Sequence, residues 1–282
     1  MKLSPRRIVS FQHNIFSWWT IHKRDLPWRH THDPYKILVS EVMLQQTQVL
    51  RVIAKYREFI ERYPRVSNLA KASPADILRI WKGMGYNRRA LYLKKAAQMI
   101  VDQYKRVFPK SEQELVKLPG LGRYTARAIL VFAYAQEAPL VDTNIRQIIT
   151  HYFFKDQPQK ESVIEEVALQ LVPKGKSWEW HQALMDYGAE ESSKFPSKLR
   201  TGKIQRSKLK KKTKPFHQSN RFYRGRIIDQ LRQGNISGSM LISDFQKKYG
   251  KSKVFIHDIL AGLEKDGLLV RFAHGTIGLP KE

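Results

Sequence analysis

The chain has 282 residues, 42% of them hydrophobic, and a formal net charge of +26 at neutral pH. This length and apolar content suffice for one large domain and a small one. The excess of positive charge favours a polyanion as partner, and nucleic acid is the first candidate because neutralised phosphates release counterions. The sequence contains no cysteine, which excludes disulfides, thiolate metal sites, iron–sulfur clusters and cysteine nucleophiles within it.

Targeting signals are weak. No window holds about 20 consecutive apolar residues, so no membrane span is predicted. The start, MKLSPRRIVSFQHNIFSWW, interrupts its apolar stretch with Gln12, His13 and Asn14, which is not typical of a signal peptide. We therefore predict a cytoplasmic protein.

Residues 1–193 are predicted to form an all-helical domain. The run ILVSEVMLQQTQVLRVIAKYREFIERY has apolar residues at helical spacing, and further helical segments follow along the chain. Ser73 before Pro74 is a candidate N-cap. Ser111, with Glu114 three residues later, predicts a capping box. We find no alternating strand pattern in this part of the sequence.

Residues 194–215 are rich in lysine and are predicted to be a basic linker, which can also contact phosphates. Residues 216–282 are predicted to form a second unit of three helices, the first capped by Ser219. LLVRFAHGTIGLP follows and predicts two short strands around His274-Gly275. Three helices and a terminal hairpin indicate a winged helix. Some winged helices bind duplex DNA, and others bind protein partners.

The segment LPGLGRYTARAIL, residues 118–130, predicts two helices joined by a glycine-containing hairpin. Gly120 and Gly122 permit a tight turn and a close approach of the backbone to another group. Backbone N–H groups at the start of the second helix then form an anion site that suits a phosphate. A plain helix–helix turn is the alternative.

Two acidic residues, Glu41 and Asp142, occur in segments that are compatible with a catalytic role. Glu41 lies in SEVMLQQTQV, where the flanking Val39, Val42 and Met43 could remove it from water. Asp142 lies in PLVDTNIRQII and can cap the next helix. A solvated glutamate and a purely capping aspartate are the alternatives.

LPWR, DPYKILVSEVMLQQTQV, WKGMGYNRRA, LPGLGRYTARAI, VDTNIRQ and ALMDYGA occur in this order. Together they resemble the helix-hairpin-helix DNA glycosylases, and among them the MutY-type adenine DNA glycosylases. The resemblance covers roughly residues 15–190. It implies an all-α helix-hairpin-helix fold of two helical lobes around a cleft. The small winged-helix-like α+β unit is expected after it.

The resemblance also implies roles. Glu41 matches the general acid that protonates adenine at N7, and Asp142 matches the carboxylate that stabilises the cationic sugar. Gln45 and Gln46 match a wedge near the estranged base, and Tyr86 matches an aromatic residue that inserts at the mispair. The residues expected at the base pocket are Trp28, Arg29, Tyr124, Asn144 and Asp186. Those expected at the DNA are Gln45, Gln46, Tyr86, Leu118, Gly120, Gly122, Arg123 and Arg146.

The chemistry of base removal asks for such a pair of carboxylates. Protonation makes adenine a far better leaving group, and general acid catalysis typically contributes about 10²–10⁴-fold. The acid must have a raised pKa, while an ionised aspartate is wanted beside the oxocarbenium-like sugar. The target base must leave the stack to reach them. Tyr124 stands where family members that also cut the backbone carry a lysine, and a tyrosine forms no Schiff base.

Three features depart from the family. The four-cysteine iron–sulfur loop is missing, with Ser192, Leu199, Gly202 and Lys208 at the positions of its ligands, so we predict no cofactor and no metal. The usual C-terminal domain of MutT type is replaced by the winged-helix-like unit. Asn87 stands where many relatives carry a second tyrosine. The second departure puts the preference for 8-oxoguanine in doubt. The third lies in GYNRRA, which is also similar to the endonuclease III and mismatch thymine glycosylase branches.

We therefore predict a monofunctional DNA glycosylase of base excision repair that removes adenine mispaired with 8-oxoguanine or guanine. The first alternative is a glycosylase for thymine or uracil opposite guanine, although pyrimidines have no N7 to protonate. The second is a DNA-binding protein without catalysis. The predicted partner is double-stranded DNA, bound by a monomer in the nucleoid, with a further protein or DNA contact through the C-terminal unit.

Overall fold

The computed structural model describes residues 1–191, 193, 195–196 and 215–281. The predicted linker at 194–215 lies outside them except for residues 195, 196 and 215, and so do the four positions that match cluster ligands. The helices are α1 Pro5–His22, α2 Pro34–Leu44, α3 Val49–Arg62, α4 Val66–Lys71, α5 Pro74–Ile80, α6 Arg88–Asp102, α7 Glu112–Leu115, α8 Arg123–Tyr134, α9 Thr143–Phe154, α10 Glu161–Gln170, α11 Ser177–Glu191, α12 Asn220–Leu231, α13 Gly238–Tyr249 and α14 Lys253–Lys265. The strands are β1 Ile236–Ser237, β2 Val270–Arg271 and β3 Thr276–Gly278.

The predicted helix starts are confirmed at three serines. The Ser73 hydroxyl accepts from the Asp76 N–H at 3.1 Å and caps α5, with Pro74 at the first helical position. Ser111 caps α7 and Ser219 caps α12 in the same way. Each hydroxyl satisfies one of the N–H groups that a helix start leaves without a partner.

The apolar run at 37–63 is interrupted, and it forms two helices. Residues 45–48 separate α2 from α3, and Gln46 has a left-handed backbone with φ of 53°. The buried Arg89 guanidinium donates to the carbonyl oxygens of Val42, Met43 and Gln45 at 2.8, 3.1 and 2.6 Å. Because these carbonyls end α2, Arg89 satisfies groups that a continuing helix would otherwise bond.

The chain divides into two compact units. The first comprises residues 1–41, 108–117 and the described residues from 121 to 196. In its core, α1 packs on α11, α11 on α9, and α9 on α10. Phe11 and Ile15 of α1 lie in one apolar cluster with Ile148 and Trp180. The N-terminal helix therefore packs with residues that follow Asp142 in the chain.

The second unit comprises residues 42–107, 118–120 and 215–281. Within it α4 and α5 pack on α6, and α12 and α13 pack on α14. The predicted C-terminal hairpin is confirmed as β2 and β3, with Val270 opposite Gly278. β1 adds a third antiparallel strand, which pairs Ile236 with Ile277 and gives the order β1-β3-β2.

The N-terminal part of the chain is helical, as predicted. Among residues 1–191, all of which the structure describes, no strand occurs. Over the whole described part of the chain, none of the helices is both long and apolar enough to cross a bilayer.

Candidate active site

Glu41 lies near the end of α2, where the side chains before and after it belong to the core. The residue is 8% exposed, and Val39 and Val42 beside it are also buried. Burial first, and then the negative charge of Asp142, raise the pKa of the Glu41 carboxyl to about 8. The expected desolvation is therefore present, and the carboxyl is mainly protonated at neutral pH.

Asp142 is the N-cap of α9. One of its carboxylate oxygens accepts from the Ile145 N–H at 2.7 Å. Burial raises the pKa of this carboxyl above its ordinary value, while hydrogen bonds from the backbone N–H groups of Ile145, Asn144 and Asp142 itself act in the opposite direction. The helix N-terminus thus stabilises the anion that burial alone disfavours.

Tyr124 lies in the first turn of α8 and completes the group. Burial raises its pKa well above 10, and the charges of Glu41 and then Asp142 raise it further. The phenol is therefore neutral. Tyr124, Glu41 and Asp142 belong to the same unit and interact electrostatically, so one protonated acid, one helix-capping carboxylate and one hydroxyl lie together.

The surroundings of Glu41 and Asp142 act differently on the pKa values of their carboxyl groups. Glu41 has burial and a neighbouring negative charge acting on it, both of which favour its neutral form. Asp142 has three backbone N–H groups that favour its charged form. Such a pair can donate a proton from one member and stabilise a cation with the other.

Asp186, expected at the base pocket, is a structural anchor in this unit. It is 1% exposed and accepts from Arg29 Nη1 and Nη2 at 2.7 Å each, and from Trp19 Nε1 at 2.9 Å. Arg24 adds a backbone N–H at 3.1 Å and its Nε at 2.5 Å. Burial would raise the pKa of Asp186, but the hydrogen bonds and charges of Arg29 and Arg24 lower it overall.

Trp28 and Asn144 are the other pocket candidates. Trp28 is buried in the short 3₁₀ turn that also carries Arg29. Asn144 lies in the first turn of α9, with its Cβ against Gly188 of α11. A Cβ built on Gly188 would lie 2.6 Å from that of Asn144, so α9 and α11 meet at a glycine. Contact of these residues with a base stays a prediction.

The glycine hairpin has the predicted backbone. Gly120 has φ of 82°, and a Cβ there would lie 2.7 Å from the Cβ of Tyr92. Both observations require glycine. Gly122 is the exposed N-cap of α8, and nothing lies within 4 Å of a Cβ built on it. Leu118 is buried, so its side chain is directed to the core and only its backbone is left for a phosphate.

The two arginines expected at the DNA are already paired with carboxylates. Arg123 Nε donates to Glu112 at 2.9 Å, and its Nη2 lies 3.3 Å from Glu165. Arg146 Nη2 lies 3.5 Å from Glu161. A phosphate at either arginine would compete with these surface ion pairs, which are worth little in water.

Gln45, Gln46 and Tyr86 belong to the second unit. Gln46 and Tyr86 are exposed and have left-handed backbones, with φ of 53° and 44°. Gln45 follows α2 directly, and its carbonyl accepts from Arg89. Burial, the largest cause, lowers the pKa of Arg89 to about 10, so it remains charged and holds the segment that presents both glutamines.

His181 is a residue that the sequence analysis missed. It is 1% exposed, its Nδ1 donates to the Ser177 carbonyl at 2.7 Å, and its Nε2 accepts from the Leu140 N–H at 3.3 Å. Burial lowers its pKa to about 4, so the imidazole is neutral. It therefore holds the segment that leads to Asp142. No sequence pattern marks it, because its partner lies 41 residues away.

A metal site is not offered by the part of the chain that the structure describes. No group of three or more histidine, aspartate or glutamate side chains there could hold an ion.

Comparisons with known proteins agree with this geometry. Residues 39–174 match the HhH-GPD superfamily of base excision DNA repair proteins. An adenine DNA glycosylase of Mycolicibacterium smegmatis is 36% identical over 240 residues, which cover 77% of this chain and 79% of that protein. An adenine DNA glycosylase of Mycobacterium tuberculosis is 46% identical over 146 residues, and there the chain spans only 47% of the relative's length.

One solved structure gives a similar result. A thermostable thymine-DNA glycosylase superposes with a TM-score of 0.61 at 31% sequence identity, covering 66% of this chain and 87% of the other.

Proposed function

The chain belongs to the HhH-GPD superfamily of base excision DNA repair proteins, and we propose that it is a monofunctional DNA glycosylase that removes adenine mispaired with 8-oxoguanine or guanine. The observation that carries the proposal is the buried Glu41, which a pKa of about 8 keeps protonated at neutral pH. The similarity to named adenine DNA glycosylases supports adenine as the base.

In the proposed reaction the adenine leaves the duplex stack and enters the protein. Glu41 donates its proton to N7, so that the electron pair of the glycosidic bond leaves with a neutral base. The positive charge that develops at C1′ of the sugar is stabilised by the Asp142 carboxylate. Water then adds to C1′ and releases a proton, which the Glu41 carboxylate accepts. The acid is thereby regenerated.

The residue at position 124 supports the proposal that the protein does not cleave the strand. A lyase needs an amine that attacks C1′ and forms a Schiff base, and the Tyr124 hydroxyl cannot do so. Its raised pKa keeps the hydroxyl protonated, and the charges of both carboxyl groups act on it. It is therefore suited to donate a hydrogen bond to the Asp142 anion or to the attacking water.

Binding is proposed to use the hairpin at Gly120 and Gly122 for a phosphate, and Gln45, Gln46 and Tyr86 for the bases near the mispair. The free N–H groups at the start of α8 are suited to an anion. The net charge of +26 supports duplex DNA as the partner. We further propose that the protein acts as a monomer in the nucleoid.

The second candidate is a glycosylase for thymine or uracil opposite guanine. Similarity to the thymine-DNA glycosylase structure favours it. Pyrimidines lack N7, however, and a protonated acid of pKa about 8 would then have no proton acceptor of that kind. In this alternative Glu41 has no purine nitrogen to protonate.

The experiment is single-turnover base release from labelled duplexes with adenine opposite 8-oxoguanine, guanine or thymine, and with thymine or uracil opposite guanine. We expect release from the first two, with strand breaks appearing only after alkali. Release of thymine or uracil alone would replace the proposal by the second candidate. Strand breaks without alkali would contradict the monofunctional assignment.

A further inference from the structure

A groove of about 990 Å³ lies within the second unit and is strongly basic. Residues of the α2–α3 connection and of the segment around Tyr86 line one side, and α12 with the residues after α14 lines the other. Among the described residues, seven arginines and two aspartates line it, so it carries a large excess of positive charge. Such a groove suits a chain of phosphates.

Some of the lining arginines form ion pairs with the two lining aspartates. Asp266 lies between Arg88, at 3.4 Å, and Arg224. Asp229 pairs with Arg232 at 2.5 Å. The pairs of Asp266 connect the segment after α14 with α6 and α12, whereas the Asp229–Arg232 pair lies at the C-terminal end of α12. Both aspartates are thereby neutralised.

Other arginines remain available for a ligand. Among the described residues, no carboxylate lies within 4 Å of Arg51 or Arg221, and both side chains are exposed. Arg226 is half-exposed and has only a long contact of 3.7 Å with Asp229. In the described part of the chain, these three arginines therefore line the groove without a close carboxylate partner.

Arg221 also stacks on Tyr86 and donates a hydrogen bond to it. Its guanidinium lies 3.6 Å from the centre of the Tyr86 ring, and Nη1 donates to the Tyr86 hydroxyl at 2.6 Å. This stacking is favourable at an exposed site. The C-terminal part of the chain thus holds the aromatic residue that the proposed function assigns to the mispair. Gln46, assigned to the estranged base, lines the same groove.

These observations point to one occupant. We infer that the groove binds the sugar-phosphate backbone of the DNA strand opposite the excised base, with Arg51, Arg221 and Arg226 as phosphate ligands. The inference rests on the proposed function, because Gln46 and Tyr86 define which strand lies there. Helix α12, which carries Arg221 and Arg226, thereby contributes to recognition of the opposite strand.

The absence of cysteine from the sequence makes a direct test possible. Gly225 lines the groove, and a Cβ built on it meets nothing within 4 Å. The full chain with Gly225→Cys would be mixed with duplexes that carry a disulfide tether on a backbone phosphate, either opposite the adenine or in the adenine strand. Thiol exchange would join protein and DNA. Gly234→Cys is the control, because Gly234 is equally unobstructed and does not line the groove.

We expect Gly225→Cys to cross-link to tethers in the opposite strand near the mispair, and Gly234→Cys to give no such product. Preferred cross-linking to the adenine strand would overturn the inference. So would equal yields from both variants. Stronger competition by single-stranded RNA or by an acidic polypeptide than by duplex DNA would identify a different occupant and overturn it as well.

A second measurement needs no turnover. Arg221→Gln is expected to weaken binding to the mispaired duplex about tenfold. It should also reduce the slope of log affinity against log salt by about 0.9, as expected for one lost phosphate contact. Arg57→Gln, which removes an exposed arginine outside the groove in the same unit, is expected to change neither. Equal behaviour of the two variants would contradict the inference.

The two proposals can fail separately. Release of adenine by the unaltered chain, with an unchanged salt slope for Arg221→Gln, would retain the proposed function and remove the groove from DNA binding. No base release, with a reduced slope and a specific cross-link, would retain the groove as a DNA site and remove the proposed function.

Discussion

Two buried carboxyl groups in the first unit show opposite behaviour. Glu41 and Asp186 are 8% and 1% exposed. Glu41 has its pKa raised to about 8, whereas the pKa of Asp186 is lowered. The difference lies in the partners: Asp142 adds a negative charge beside Glu41, and two arginines and an indole N–H donate to Asp186.

The comparison shows that burial alone does not define a candidate acid. A buried carboxyl retains its proton only where no cationic donors compensate the lost hydration. Asp186, which sequence resemblance placed at the pocket, fails that criterion as a proton donor. Glu41 satisfies it. Substitutions at Glu41 and at Asp186 should separate these two kinds of buried carboxyl group.

Glu41→Gln should abolish proton donation and preserve the shape of the side chain. We expect the single-turnover rate of adenine release to fall by about 10²–10⁴-fold, the usual contribution of a general acid. Duplex affinity should change little. Quenched single-turnover assays at saturating enzyme would measure the rate.

Glu179→Gln is the matched control, since Glu179 is exposed on α11 of the same unit. It should keep the unaltered rate. A Glu41→Gln variant that releases adenine as fast as this control would remove Glu41 from the mechanism.

Asp186→Asn should act on stability. The substitution leaves Arg29, whose side chain is 6% exposed, without its counter-charge, and breaking a buried ion pair costs about 3–5 kcal/mol. Chemical denaturation would measure this as a lower midpoint with an unchanged slope. Asp25→Asn, at a side chain that is 86% exposed, should stay within about 0.5 kcal/mol. Similar midpoints for both variants would refute the anchoring role.

Local sequence determined much of this organisation. Serine caps, the glycine at position 120 and the apolar residues around Glu41 act within a few residues, so their patterns predict helix starts, the hairpin and the burial of the acid. The three C-terminal helices and the β2–β3 hairpin were likewise predicted. β1 was missed because two residues carry no detectable alternation.

Long-range contacts determined the rest. The break after α2 depends on Arg89, which lies 44 residues after Gln45. The lowered pKa of Asp186 depends on donors 157–167 residues before it. Neither partner follows a period or a motif, so the sequence could predict neither the break after α2 nor the arginines around Asp186. The place of Asp186 at the base pocket stays a prediction.

His181→Phe tests the support of the segment that leads to Asp142. Phenylalanine fills a similar volume but cannot accept from the Leu140 N–H, and an unsatisfied buried donor costs about 1–3 kcal/mol. His181 has a lowered pKa, so its contribution to stability is present above the usual value of 6.5 and is lost as the pH falls toward 4.

The variant should therefore lack part of the acid-induced loss of stability between pH 6.5 and 4. His13→Phe, at an exposed position of α1, should retain it. Identical pH profiles in His181→Phe and the unaltered chain would argue against a buried neutral imidazole.

The smallest expected effect is a change in how steeply the free energy of unfolding depends on pH. Glu41 has a folded pKa of about 8 and a usual value of 4.5, so the folded state binds the extra proton and stability falls as the pH rises between these values. His181 does not contribute above pH 6.5, and Asp186 contributes only at low pH because its pKa is lowered. Between pH 6.5 and 8 the unaltered chain should therefore lose up to about 1.4 kcal/mol per pH unit relative to Glu41→Gln. Denaturation midpoints measured at four pH values across this window would give both slopes. Parallel slopes would mean that Glu41 is ionised throughout, and would place it with Asp186 among the buried anions.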